Sequence, residues 1–136
     1  MSKPSPELLR KVGLFSDLEE KDLASLADEF NERRFATGET IAFEGAGGLM
    51  FFVVDSGEAS VEVHGNEVAE LGPGDSFGEV ALIDRRPRTA TVTAKTDLVT
   101  YGLPVFVFRP FVEARPQVAL KLLEAMADRL QAAESR

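Results

Sequence analysis

The chain has 136 residues, of which 44% are hydrophobic and 28% charged, enough to close one ordinary core and too apolar for a disordered chain. Fifteen Lys and Arg against 23 Asp and Glu leave a net charge of −8, which argues against a nucleic-acid surface or an anionic-membrane surface. There is no cysteine, so disulfides, thiolate chemistry and zinc–thiolate sites are excluded. No apolar run approaches the ~20 residues of a membrane span, and the start Met1-Ser2-Lys3-Pro4 has no signal-peptide form. A cytoplasmic protein is the default expectation.

Ser5 ahead of Pro6 marks the start of a short helix running to Val12, with Gly13 as its stop. Ser16-Asp17-Leu18-Glu19 has the form of a capping box. Leu23, Leu26, Ala27 and Phe30 then recur at helical spacing, so the sequence predicts a helix over 18–30 with one apolar face, onto which Phe15 can staple.

From Glu32 to Val107 the pattern changes to period two. Thr37-Gly38 turns the chain into a strand over 39–44, and Gly45-Ala46-Gly47-Gly48 is a loop without reactive side chains. The unbroken apolar run Leu49–Val54 predicts a fully buried strand. Ser56-Gly57 is a turn, Ala59, Val61 and Val63 alternate on one face of the next strand, and Gly65-Asn66 fits a two-residue hairpin. Val68–Leu71 returns along it, and Gly72-Pro73-Gly74-Asp75 turns again. Two further strands are expected over 89–93 and 98–103. Short strands with closely spaced turns suggest an all-β sandwich or closed barrel.

The tail is helical. Phe106, Phe108, Pro110 and Phe111 form an aromatic joint, and Pro116 suits the first turn of a last helix. Ala119, Leu123, Met126, Leu130 and Ala133 follow at 4-3-4-3 spacing, a seam of about two heptads, while Val118 and Leu122 widen the arc. Either this helix pairs with a second copy or it packs on the barrel. His64 is the only histidine and sits at a hairpin tip, so neither a metal-dependent jelly-roll enzyme nor a Ser/His/Asp set can be built around it. No catalytic residue, metal ligand or cofactor is expected.

The chemistry concentrates in Phe77-Gly78-Glu79-Val80-Ala81-Leu82 and Pro87-Arg88-Thr89-Ala90-Thr91-Val92, which together suit a phosphate-and-ribose cradle. Gly78 lets backbone approach a ligand closely. The carboxylate of Glu79 offers two acceptor oxygens to paired ribose hydroxyls. Val80-Ala81-Leu82 suits one helical turn whose free N–H groups can face an anion. Pro87 fixes the chain ahead of Arg88, whose planar guanidinium can grip phosphate oxygens two at a time, and Thr89 adds a hydroxyl. Arg85 and Arg86 are expected in solvent.

This stretch resembles the phosphate-binding cassette of the cyclic nucleotide-binding domain family at every fixed position, and Leu14-Phe15-Ser16-Asp17-Leu18 resembles that family's helical lead. The resemblance implies a mainly β fold with flanking helices: an eight-stranded jelly-roll β-barrel, or double-stranded β-helix, with N-terminal helices and a C-terminal helix. It partitions a single domain over 1–136 into a helical lead (1–31), a barrel (32–104) holding the cassette (77–92), and C-terminal helices (105–136). Carried over residue by residue, Glu79 accepts from the ribose 2′-hydroxyl and Arg88 pairs with the cyclic phosphate. The backbone N–H groups of Ala81, Leu82 and Thr89 complete the phosphate shell, and Val61 and Leu71 support the base unless they are ordinary core.

Family members with a threonine at the position of Thr89 can bond the 2-amino group of a syn guanine, which keeps cyclic GMP open, yet several such members bind cyclic AMP well, so cyclic AMP is favoured. Some members carry an acid near residue 45 that orients the arginine, and this chain has none there. The implied role is that of a stand-alone sensor that takes up a cyclic nucleotide and repositions its C-terminal helix, with an effector protein not named by the sequence. A homodimer through that helix is one outcome, without direct nucleic-acid or membrane binding. The competing reading is a ligand-free protein-interaction module of the same fold, against which the intact Glu79 and Arg88 speak.

Overall fold

The computed structural model describes residues 2–42, 50–78 and 90–134. At the N-terminus the Ser5 hydroxyl accepts from the Leu8 N–H at 3.1 Å and Pro6 takes the first helical position of α1 (Pro6–Arg10), as the sequence suggests. A 3-10 turn (Gly13–Phe15) and α2 (Glu20–Ala27) follow. The capping box does not form. Ser16 Oγ donates instead to the Gly13 carbonyl at 2.9 Å, and Glu19 stands at the N-cap without a side-chain bond. Burial of Phe15 and Leu18 holds the chain between them in a turn, so the helix starts later than its periodicity predicts. Lys3 closes the other end of α2, donating to the Asp28 and Phe30 carbonyls at 3.0 and 2.8 Å, where a cation meets the negative end of the helix.

Eight strands follow among the described residues: β1 (Asn31–Phe35), β2 (Thr40–Ala42), β3 (Met50–Ser56), β4 (Ala59–Val63), β5 (Asn66–Leu71), β6 (Ser76–Phe77), β7 (Thr91–Ala94) and β8 (Leu98–Pro104). They form two four-stranded antiparallel sheets, in the orders β1-β8-β3-β6 and β2-β7-β4-β5. This is the jelly roll the sequence leads one to expect. The β4–β5 loop consists of His64 and Gly65, not Gly65 and Asn66, because Val63 already pairs with Asn66. Both loop residues have positive φ, 53° and 82°, which suits the twist of a two-residue hairpin.

β3 explains why the core has two halves. Phe51, Phe52, Val53 and Val54 are all buried, because both faces of this strand are covered. Phe51 and Val53 point to the helices, joining Leu9, Phe15, Leu23, Phe30, Tyr101 and Leu103. Phe51 meets Phe15 and Phe30 edge-on, at centroid distances of 5.7 and 6.2 Å. Val54 points to the barrel interior, with Ala59, Val92, Ala94 and Leu98.

α3 (Val105–Glu113) and α4 (Pro116–Glu134) end the chain. Val118, Leu122 and Ala125 bury one face of α4 in the helix-side core. The heptad seam lies elsewhere, with Leu123 and Leu130 63% and 61% exposed. The residues that only widen the apolar arc in sequence are therefore the ones that pack, and the seam faces outward. No described helix is long and apolar enough to cross a membrane.

Candidate functional site

The chain enters the nominated segment from one sheet and leaves it into the other. It leaves the first sheet at β6, where Phe77 pairs with Phe52 and Ser76 with Val53. The ring of Phe77 stacks on Phe52 at a centroid distance of 5.0 Å and an interplanar angle of 21°, and Phe52 meets Phe35 edge-on at 6.0 Å. This aromatic row fixes the departure point. Gly78 then turns the chain with φ +83°, a backbone state that residues with a Cβ adopt at a cost. The chain re-enters at β7, the strand between β2 and β4 in the second sheet.

The turn ahead of β6 is pinned. The Asp75 carboxylate accepts from the Gly72 N–H at 2.9 Å, and two backbone bonds tie Gly74 and Asp75 to Val54. The segment thus starts from a rigid mount, the kind of support a binding constellation needs.

Of the residues nominated from the sequence, Gly78, Val61 and Leu71 are described, and all three are half-buried. Val61 pairs with Val92 across β4 and β7, and Leu71 pairs with Ala59 across β5 and β4. Val61 and Leu71 are therefore diagonal neighbours on one face, packed against the barrel-interior core. Ile41, Phe35 and Phe77 pack against the same core. Sequence reasoning passed over Ile41 as site material and gave Phe77 no role beyond its place in the motif, although Ile41 packs against the barrel-interior core from β2. Glu79, Ala81, Leu82, Arg88 and Thr89 lie outside the described residues, as does the Gly45–Gly48 loop. Among the described residues no group of three or more His, Asp or Glu side chains is placed to hold a metal, and His64 lies in its exposed turn.

The electrostatics around the rim are acidic but locally balanced. Lys95 bonds Glu70 at 2.7 Å and approaches Glu67 at 3.7 Å. The Glu70 hydrogen bond, with the charges of Glu67 and Glu70, holds the Lys95 ammonium above its ordinary range. Lys95 in turn holds Glu70 below the usual carboxylate range, while a hydrogen bond to Glu70 raises Glu58.

A family model described as the cyclic nucleotide-binding domain matches residues 32–115. The chain is 28% identical over 130 residues to a CRP-like cAMP-activated global transcriptional regulator of Mycobacterium tuberculosis, covering 92% of this chain and 58% of the regulator. It therefore spans little more than half of that relative's length. Among solved structures, the N-terminal domain of a transcriptional regulator from Streptomyces coelicolor superposes with a TM-score of 0.89 at 34% identity, covering 94% of this chain and 95% of that one. The catabolite activator protein of Thermus thermophilus superposes with a TM-score of 0.73 at 29% identity, covering 90% and 60% of the two chains.

Proposed function

Because the chain belongs to the cyclic nucleotide-binding domain family, we propose that it is a regulatory module that binds cyclic AMP, with cyclic GMP as a weaker alternative, and answers by repositioning α4. One observation carries this reading. The described residues that flank Glu79 and Arg88 in the chain are a positive-φ glycine next to the edge strand β6 of one sheet and the start of β7, an inner strand of the other, and Val61 and Leu71 are half-buried on that second sheet. A cyclic nucleotide needs such a junction: a polar cradle for its ribose and phosphate, and an apolar shelf for its base.

In the proposed pose Arg88 pairs with the cyclic phosphate, and the backbone N–H groups of Ala81, Leu82 and Thr89 complete the shell. Glu79 accepts from the ribose hydroxyl, Gly78 admits close backbone approach, and Val61 and Leu71 support the base. The same reading divides the chain into a helical lead (1–31), a barrel (32–104) and a C-terminal helical part (105–136). The exposed face of α4 is where a second copy would dock, and the response belongs to a signalling protein without catalysis.

Thermal melting in the presence of cyclic AMP, cyclic GMP and 5′-AMP tests the reading. Both cyclic nucleotides should raise the melting temperature in proportion to their affinity, and 5′-AMP should not. Equal shifts with 5′-AMP would remove the cyclic phosphate from the account. No shift with any of the three would favour the ligand-free interaction module.

A further inference from the structure

Asp22 stands apart among the charged side chains of the described residues: only 6% exposed, it is a buried acid. Its carboxylate accepts a hydrogen bond from Gln117 Nε2 at 3.3 Å, across 95 residues of sequence. Asp22 lies in the first turn of α2, where free N–H groups favour an anion, and Gln117 lies in the first turn of α4. Val118, Leu122 and Ala125, the inner face of the same helix, share one buried core with Leu9, Val12, Leu14, Phe15 and Leu18. The start of α4 is thus joined to the N-terminal helices by an apolar face and by one polar contact with a fixed geometry.

A buried carboxylate is costly to leave without its donor. Apolar packing tolerates a small slide of α4, because one methyl can replace another. The Asp22–Gln117 bond does not, since the donor must stay within hydrogen-bonding reach.

We propose that Asp22 and Gln117 form a latch that fixes the resting pose of α4 on the N-terminal helices and thereby opposes nucleotide binding. The second half rests on the reading that nucleotide displaces α4. By linkage, whatever the ligand must undo to move the helix weakens the ligand by the same factor. Gln117 and Asp22 act here as positioning residues.

The absence of cysteine makes the test direct. Cysteines introduced at the exposed positions Ala24 on α2 and Ala127 on α4 take spin labels, and pulsed dipolar spectroscopy reads the α2–α4 distance. The labelled parent should give one narrow distance without nucleotide. Gln117→Ala, and the double variant Asp22→Ala/Gln117→Ala that strands no carboxylate, should broaden or displace it.

Cyclic AMP affinity of both variants should rise on the order of fivefold, the factor expected for one hydrogen bond. A purely structural role would lower the melting temperature without raising affinity. An unchanged distance distribution in the double variant overturns the latch. A shifted distribution with unchanged affinity overturns its opposition to binding. Failure of the parent to bind cyclic AMP would overturn the functional reading and the nucleotide half of this proposal, while the distances taken without nucleotide still decide the latch.

Discussion

At the scale of single residues, Arg88 bears the largest share of the proposed chemistry. A chain with a net charge of −8 holds an anion only where a local cation and backbone N–H groups outweigh the surrounding field. Arg88→Ala should therefore cost about 3 kcal/mol or more of cyclic nucleotide affinity, from the loss of paired charge-assisted bonds, with the melting temperature of the free protein unchanged. Glu79→Gln should cost less, about 1–3 kcal/mol, which parallel titrations would measure.

Asp97 makes a prediction of a different kind. Its carboxylate accepts from the Thr37 N–H at 3.0 Å and the Thr37 hydroxyl at 2.9 Å, and these bonds, the backbone one foremost, lower it below the ordinary aspartate range. A lowered folded-state value means that this contribution to stability is complete above the unfolded value, about 3.9. It is lost as pH falls through the folded value. Melting curves should show Asp97→Asn less stable than the parent at neutral pH, and the gap should close on acidification below pH about 4. Residue chemistry was legible where one side chain had one plausible use, as with Ser5 capping α1. It was not legible at Ser16, whose hydroxyl had a nearer carbonyl to bond once Phe15 and Leu18 were buried.

At the scale of elements, the apolar run in β3 was readable because a strand covered on both faces leaves no polar alternation. The β4–β5 hairpin was readable only to within one residue. Its loop needs positive φ twice, and His64 takes the position that sequence would give to Asn or Gly. Gly57 offers a test of turn packing. It has φ +91°, and a Cβ there would run into the Asp97 carbonyl and crowd Leu98 Cα. Gly57→Ala should therefore destabilise the fold by about 1–3 kcal/mol in denaturant unfolding, because the obstacle is backbone and cannot swing aside.

In α4, periodicity found a helix with a broad apolar arc but could not say which part is inside, since both faces carry Leu. The exposed Leu123 and Leu130 are separate from the buried Val118, Leu122 and Ala125. If a second copy docks on the outer face, Leu123→Asp with Leu130→Asp should halve the solution mass without altering the melting of the monomer. An unchanged mass would reject that docking face.

At the scale of the whole molecule, the fold was legible because turn residues and short alternating strands left little besides a closed β structure. The arrangement of two cores, one under the helices and one inside the barrel, was not. It depends on the pairing of β3 with β8, strands more than forty residues apart in sequence, which periodicity cannot supply. The family was legible as a motif, since Gly78, Glu79 and Arg88 each have a distinct chemical use in the cassette that the sequence resembles, and the family model matches residues 32–115. The rim around Val61 and Leu71 needed the cross-strand registers of β4 with β5 and β7 before Ile41 and Phe77 could be seen to belong to it.

The most direct test of the central claim is calorimetric titration of the nucleotide-free protein with cyclic AMP, run beside Arg88→Ala. The account predicts saturable binding of one nucleotide per chain by the parent and no measurable heat of binding from an equally folded variant. Equal affinity in the two proteins would contradict it.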